Sequence, residues 1–452
     1  MSFPRYGSYK RSGMDWLGEV PRHWELPKLK QFAAFAGGGT PSRDRPELWN
    51  GDVPWVSPKD MKAEALNDSE EHLTEAGLSE STANLVPSGS VLLVVRSGIL
   101  KHTIPVAVNT VPVALNQDMK AILFEPERCL PWFFLRWVQG FNDTLINVLC
   151  KQGATVESIE YDYLRMVQLP LPPLSEQAAI TAFLDRETAK IDALVEEQRR
   201  LIALLAEKRQ AVISHAVTKG LDPNVPMKDS GVEWLGEVPA HWQIKRLKQV
   251  VRPDSSITYG IVQAGPHVEG GVPYIKTGDM AGDELPREGY ALTSVEVSES
   301  YRRSQLEKGD LVVAIRATVG KCLPIPDELI GANLTQGTAK ISPGAEIMRD
   351  FLLRIMQSIA LEGYFECFSK GATFKEITLD VLRRAPVPQP PLEEQVMIVA
   401  WLSDQIEYLN NLRAASETSI TFLQERRAAL ISAAVTGQID VRGLVPTVEE
   451  AA

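Results

Sequence analysis

The 452-residue chain repeats itself. Residues 14–24 read MDWLGEVPRHW and residues 232–242 read VEWLGEVPAHW, with eight identities in eleven at an offset of 218. LPLPPLSEQAAI (169–180) meets VPQPPLEEQVMI (387–398) at seven of twelve positions, again at 218. EKRQAVISHAVT (207–218) meets ERRAALISAAVT (425–436) at eight of twelve, at the same offset. Gly153-Ala154-Thr155 and Gly371-Ala372-Thr373 keep it too. Between these anchors the register drifts. Val53-Pro54-Trp55 and Val272-Pro273-Tyr274 align at 219, and Arg96 and Arg316 at 220. Small insertions that open and close again belong in loops. A period this long means tandem duplicated domains, not a solenoid. It predicts pseudo-two-fold organisation and a ligand or partner with two similar ends.

Each copy changes texture once. Short apolar runs broken by Gly and Pro predict strands at Val91–Val95, Val106–Val108 and Ala121–Phe124, with Asp310–Ile315 and Thr338–Ile341 in the second copy. Leu130–Ile146 and Ile347–Leu361 read as helices. A proline cluster follows in each copy, and then a long helix with Ser175 or Glu393 near its start as cap or first-turn acid. Residues 176–217 hold no Gly or Pro. At 1.5 Å per residue such a helix spans roughly 60 Å. Its apolar positions predict a narrow packing stripe: Leu184, Ile191, Leu194, Leu201 and Leu205, with Leu402, Leu409, Leu412, Leu423 and Leu430 in the second copy. A narrow stripe wants a partner helix, and the nearest is the other copy's, running antiparallel. The expected fold is α+β: two tandem-duplicated globular domains with β-rich cores, separated by two long antiparallel coiled-coil helices. The expected boundaries are 1–165 and 223–385 for the globular domains, 166–222 and 386–440 for the helices, and 441–452 for a flexible tail.

Several function classes are excluded. No apolar run approaches the roughly 18 residues of a membrane helix. The N-terminus lacks a signal-peptide core, which leads us to expect a cytoplasmic protein. Cys129, Cys150, Cys322 and Cys367 form no C-x-x-C pair, so neither a disulfide framework nor a zinc site is expected. The net charge of −11 opposes indiscriminate coating of nucleic acid. Phe35-Ala36-Gly37-Gly38-Gly39 fits an F-x-G-x-G cofactor turn, yet no Pro-Pro-aromatic partner accompanies it, and a structural Gly-Thr-Pro turn is favoured. Gly320-Lys321 is no P-loop, because no glycine lies five residues earlier. His23 and His241 sit beside Trp24 and Trp242 at equivalent positions and read as structural. No catalytic set or metal cluster emerges, so the chain reads as non-catalytic.

Two divergent modules on a stiff spacer make a ruler with two reading heads, and DNA offers sites spaced along a stiff rod. Base edges are read by Arg, Lys, Asn, Gln, Ser and Thr. The first copy offers Arg43, Lys59, Arg96, Ser97, Lys101, Asn116 and Gln117. The second offers Lys276, Thr277, Arg316, Thr318, Lys321, Thr335 and Gln336. Arg96 and Arg316 each follow an apolar strand and should emerge at its end. Residues 64–80, with six acids, should face away from DNA.

Taken together, the WLGEVPxHW openings, Gly38-Gly39-Thr40-Pro41, the segment Trp55–Met61, the P-P-L-x-E-Q helix starts and the E-(K/R)-R-x-A-(V/L)-I-S helix ends identify a resemblance. The chain resembles the specificity (S) subunit of type I restriction-modification systems over nearly its whole length. The resemblance implies one target-recognition domain per half of a bipartite DNA site, with the paired helices setting a non-specific gap. It implies two methyltransferase (M) subunits as partners, carrying S-adenosylmethionine, and motor-nuclease (R) subunits that cleave unmodified DNA. No cofactor is then expected on this chain. A duplicated, non-catalytic protein-interaction adaptor is the alternative.

Overall fold

The computed structural model describes residues 3–150, 156–371 and 375–444. Gly153-Ala154-Thr155, Ala372-Thr373 and the tail from 445 onward lie outside the described residues. The chain divides into two units. Unit one joins Met1–Gln198 to Thr418–Ala452, and unit two is the continuous stretch Arg199–Glu417. Unit one therefore takes in both ends of the chain, and Val441, near the last described residue, is fully buried in its core.

Unit one carries two mixed sheets. One has five strands: β1 (Ala33–Gly37), β2 (Ala65–Leu66), β3 (Val91–Val94), β4 (Val106–Asn109) and β5 (Met119–Phe124), in the spatial order β1-β5-β3-β4-β2. All four residues of β3 are buried, as an apolar run with no polar alternation requires. The second sheet centres on a parallel pair, Trp49–Val56 beside Val113–Leu115, in the register Trp55↔Ala114 and Val56↔Leu115. Unit two repeats the plan with fewer strands. Leu311–Ala314 and Thr338–Ile341 pair antiparallel, and Val272–Ile275 lies parallel to Asn333–Leu334 in the register Ile275↔Leu334.

The helix expected over Leu130–Ile146 is two helices, α1 (Pro131–Gly140) and α2 (Asn142–Leu149). Phe141 leaves the helical region, with ψ at 18°, and sends its ring into the core. In the second copy the run Ile347–Leu361 likewise breaks. Ser358 accepts from the Leu361 amide and so starts a new helix instead of continuing the old one.

The two long helices are α3 (Leu174–Lys219, 46 residues) and α4 (Leu392–Val435, 44 residues). Each begins directly after a Pro-Pro pair, which has no N–H to lose there. Gly220 ends α3 in a left-handed turn (φ 76°), and Gly437 does so shortly after α4 (φ 74°).

The sequence motifs of each copy meet one another at the helix starts. Trp24, with no exposed surface, donates its indole N–H to Glu176 at 3.0 Å, and His23 Nε2 lies 2.7 Å from the same carboxylate. Tyr6 donates to it as well, at 3.1 Å. Trp242 and His241 repeat the clasp on Glu394, at 3.1 and 2.8 Å. Each neighbouring glutamine is buried and satisfied at both ends of its amide. Gln177 donates to Arg128 O and Pro172 O and accepts from the Leu130 amide. Gln395 donates to Glu346 O and Pro390 O and accepts from the Met348 amide. The W-L-G-E-V-P-x-H-W opening and the P-P-L-x-E-Q helix start are thus two halves of one joint. Both histidines act in it as hydrogen-bonding braces.

The buried stripe of the long helices keeps most of the expected positions and departs from them at Leu194, Leu201 and Leu412. Leu184, Thr188, Ile191 and Val195 are buried on α3 in unit one, and Leu205 and Ile213 in unit two. Their spacing alternates fours and threes, the coiled-coil period. Leu194 and Leu201 fall one residue short of Val195 and Ile202 and are exposed, at 51% and 41%. On α4, Leu402, Leu409 and Leu430 are buried as expected, and Leu423 is half-buried. Leu412 is 37% exposed, because the buried position seven residues after Leu409 belongs to Ser416. Within unit one the two segments run antiparallel. Arg427 bonds Asp192 at 2.9 Å while Arg442, further along the chain, approaches Glu176 at 3.9 Å.

Candidate nucleic-acid interface

In each unit the parallel strand pair ends in a polar corner. In unit one the strands stop at Val56 and Leu115, and the Asn116 amide donates to Val56 O at 3.0 Å. Asn116 is buried, and its side-chain oxygen accepts from the Asp118 amide at 3.0 Å, which fixes the turn. Gln117 is pushed outward by that turn and receives the Thr40 hydroxyl. Ser57 donates backbone and side chain to Asp60 at 2.8 Å, leaving Lys59 exposed on a short turn. Arg96 arrives from the end of β3. Its amide donates to Asp118 O at 3.3 Å, and its exposed guanidinium stands 3.8 Å from the Asp118 carboxylate.

The corner of unit two has the same construction. The strands stop at Ile275 and Leu334, and the Thr335 amide donates to Ile275 O at 3.1 Å. Lys276 projects into solvent while its amide donates to Asp279 at 2.7 Å. Thr277 donates to Gly337 O at 3.4 Å, and the Ile315 amide donates to the same oxygen at 2.9 Å. Arg316 follows and bonds Glu376 at 3.1 Å. Ala317 behind it holds a left-handed φ of 60°, a conformation that costs an L-residue about 1–2 kcal/mol. Arg316 and Gln336 share a cavity of 550 Å³ with Tyr259, Glu376 and Asp380.

Glycine closes both corners. A Cβ on Gly38 would lie 2.1 Å from Leu115 O, and one on Gly260 would lie 1.9 Å from Leu334 O. Only glycine lets the backbones pass so closely. The F-x-G-x-G run therefore packs against a strand end. Among the described residues, no group of three or more His, Cys, Asp or Glu is arranged to hold a metal ion.

The structure brings together Arg96, Asn116 and Gln117 in unit one, and Thr277, Arg316, Thr335 and Gln336 in unit two, with Lys59 and Lys276 on the turns that follow Val56 and Ile275. Other predicted residues stand elsewhere. Arg43 is held by both Glu71 oxygens and lies 3.9 Å over the Trp49 ring. Its bond to Glu71 raises its pKa and lowers that of Glu71. Ser97 caps the turn that follows it, and Lys101 approaches Glu157 at 3.6 Å. Thr318 and Lys321 line a different cavity. Asp118, Glu376 and Asp380 are not among the expected base readers, and Thr40 is expected only as part of the Gly38-Gly39-Thr40-Pro41 turn. Asp118, two residues beyond Asn116, matches an Asx-turn and could have been found. Of the six acids in 64–80, five face basic partners: Glu64 with Arg136, Asp68 with His72, Glu70 with Lys62, Glu71 with Arg43 and Glu80 with Arg45.

A family model described as the type I restriction modification DNA specificity domain matches residues 21–202 and again 239–421. The EcoR124I/EcoR124II specificity subunit of Escherichia coli is 35% identical over 188 residues, covering 41% of this chain and 45% of that one. The match thus spans less than half of that relative. The MjaVIII specificity subunit of Methanocaldococcus jannaschii is 22% identical, covering 94% of this chain and 95% of that one. Among solved structures, the HsdS subunit of Thermoanaerobacter tengcongensis superposes with a TM-score of 0.53 at 19% identity, over 93% of this chain and 98% of that one. A chain from a study of type I R-M complex assembly reaches 0.63 at 19% identity, over 93% and 99%. Both show a shared fold.

Proposed function

The chain belongs to the type I restriction modification DNA specificity family, and from that premise we propose that it reads a bipartite DNA site, one half with each polar corner. The observation that carries this reading is the duplicated construction of the corner. Two copies that have drifted apart in the middle of their sequences still place an arginine, a strand-end amide and a lysine around the mouth of the same parallel strand pair. An exposed arginine reads guanine through two hydrogen bonds, and Asn or Gln reads adenine. The carboxylates beside Arg96 and Arg316 hold each guanidinium in place until a base edge replaces them.

Chemistry belongs to partner chains in this proposal. Methyltransferase subunits carry S-adenosylmethionine and methylate the site, and motor-nuclease subunits cut DNA that lacks the mark. The exposed apolar side chains of α4 support docking of a partner helix. Met397, Trp401 and Tyr408 recur at spacings of four and seven, the pattern of one helix face, and all three are exposed. No helix is long and apolar enough to cross a membrane among the described residues.

The test is modified-base sequencing of DNA from a methylation-free host that expresses the chain with its neighbouring methyltransferase gene. A bipartite motif with a fixed gap is expected. Arg96→Ala should relax one half-site and Arg316→Ala the other, each with a loss of about 1–3 kcal/mol of discrimination. An unchanged motif in both variants would remove these arginines from base reading. Scattered methylation, with the partner active beside another specificity chain, would favour the adaptor.

A further inference from the structure

The two copies keep the same pair of arginines beside their long helices and surround them differently. In unit one the arginines are Arg136 on α1 and Arg427 on α4. Arg136 bonds Glu64 at 2.8 Å and Asp185 at 2.7 Å, and Arg427 bonds Asp192 at 2.9 Å. Burial pushes the Glu64 carboxyl up, but hydrogen bonds from Arg136 and Gln139 outweigh it and hold its pKa below the usual value. Three carboxylates thus neutralise two guanidinium groups.

At the offset of 218 these arginines return in unit two as Arg354 and Arg209, and Gln139 returns as Gln357. One bond survives: Arg136 Nη1 donates to Gln139 at 2.9 Å, and Arg354 Nη1 donates to Gln357 at 2.9 Å. The acids do not survive. Ser403 stands where Asp185 would, and Asn410 where Asp192 would. The place of Glu64 falls, at offset 219, to Asp283, which is one methylene shorter. Asp283 lies along the wall but makes no ion pair with either arginine among the described residues.

Beside these arginines unit two has a cavity of 480 Å³. Arg209, Lys321 and Gln357 line it, with Met356 and Phe365 among its apolar walls. Arg209 Nε is buried there without a hydrogen-bond partner. Burial, and then the nearby charge of Arg209, push the pKa of Arg354 down, with Asp350 acting the other way. Of the acids on the wall, Glu366 is taken by Lys375 at 2.9 Å. Glu362 and Asp283 remain, against Arg209 and the adjoining Arg354, while Lys321 Nζ donates to Ala281 O at 2.8 Å. Arg209 is half-buried, a guanidinium with a buried unpaired N–H is costly, and its planar fork fits an oxyanion.

We propose that this cavity is a binding site for a phosphate-class oxyanion, the headgroup of a small ligand, seated on Arg209 where unit one carries its own carboxylates. The planar fork of Arg209 matches two oxygens of one tetrahedral oxyanion. The apolar walls leave room for a ligand body larger than phosphate itself.

Thermal unfolding of the full chain tests this, with inorganic phosphate replacing chloride at constant ionic strength. Saturating phosphate should raise the Tm of unit two by about 3 °C. The double variant Ser403→Asp/Asn410→Asp restores the missing acids. It should melt higher without phosphate and lose the response to it. Should that variant not fold, Arg209→Gln makes the same comparison by removing the seat, and should also lose the response. No response in the wild type would overturn the site. So would an equal response in wild type and variant, which would mark a general salt effect.

Discussion

Trp24→Ala is expected to destabilise unit one by about 3–5 kcal/mol, the range for deleting a fully buried aromatic side chain. Two losses combine. The cavity left by an indole of zero exposure cannot collapse easily, because Leu29, Phe134 and Ile180 around the same core are themselves fully enclosed. The Glu176 carboxylate also loses its indole donor while it stays mostly buried. Trp242→Ala should cost less. Glu394 is more open to water than Glu176, and among the described residues no tyrosine hydroxyl shares it. Chemical denaturation followed by tryptophan fluorescence checks both values. A loss below about 1 kcal/mol for Trp24→Ala would mean that the clasp is ornamental to stability.

The second large effect concerns the reading distance. One heptad inserted between Gln198 and Arg199, matched by one between Glu417 and Thr418, should leave both half-sites intact and widen the gap. Seven residues add about 10.5 Å of helix, or about three base pairs at 3.4 Å each. Seven is the in-phase choice, because the buried positions of α3 recur at alternating fours and threes. The same insertion in α3 alone should abolish methylation, since its seam would lose register with α4. Sequencing of modified bases reads all three outcomes. A changed half-site in the double insertion would show that the helices do more than set distance.

Much of this organisation was legible from the repeat. Identities at one offset mark positions that both copies need. They fell on the tryptophan clasp, the buried glutamine and the helix ends, which are the joints of the fold. Sequence could not show that the two motifs of a copy touch, because Trp24 and Glu176 lie 152 residues apart. Leu194, Leu201 and Leu412 misled for a physical reason. Leucine spacing of three and four fits two adjacent stripes on one helix, and only the partner surface decides which is buried. Thr188 and Ser416 occupy the real seam as small polar residues, which a search for leucines passes over. At the polar corners the strand ends were readable, but Lys321 and Arg43 were not distinguishable from Lys276 and Arg96. Their direction depends on which carboxylates and rings happen to flank them.

Unit one is assembled from the two ends of the chain. The Asp440 amide donates to Pro4 O at 2.8 Å, and Tyr9 donates to Gly437 O at 3.1 Å. This arrangement sets an order of birth. Unit two, continuous from Arg199 to Glu417, can close while the ribosome is still adding residues. Unit one, although its segment before Arg199 is made earlier, must wait for the segment after Glu417 before Ile431, Val435 and Val441 complete its core. Until then the apolar surface around Trp137 and Phe183 stays open, and a prematurely terminated chain carries that exposed surface permanently.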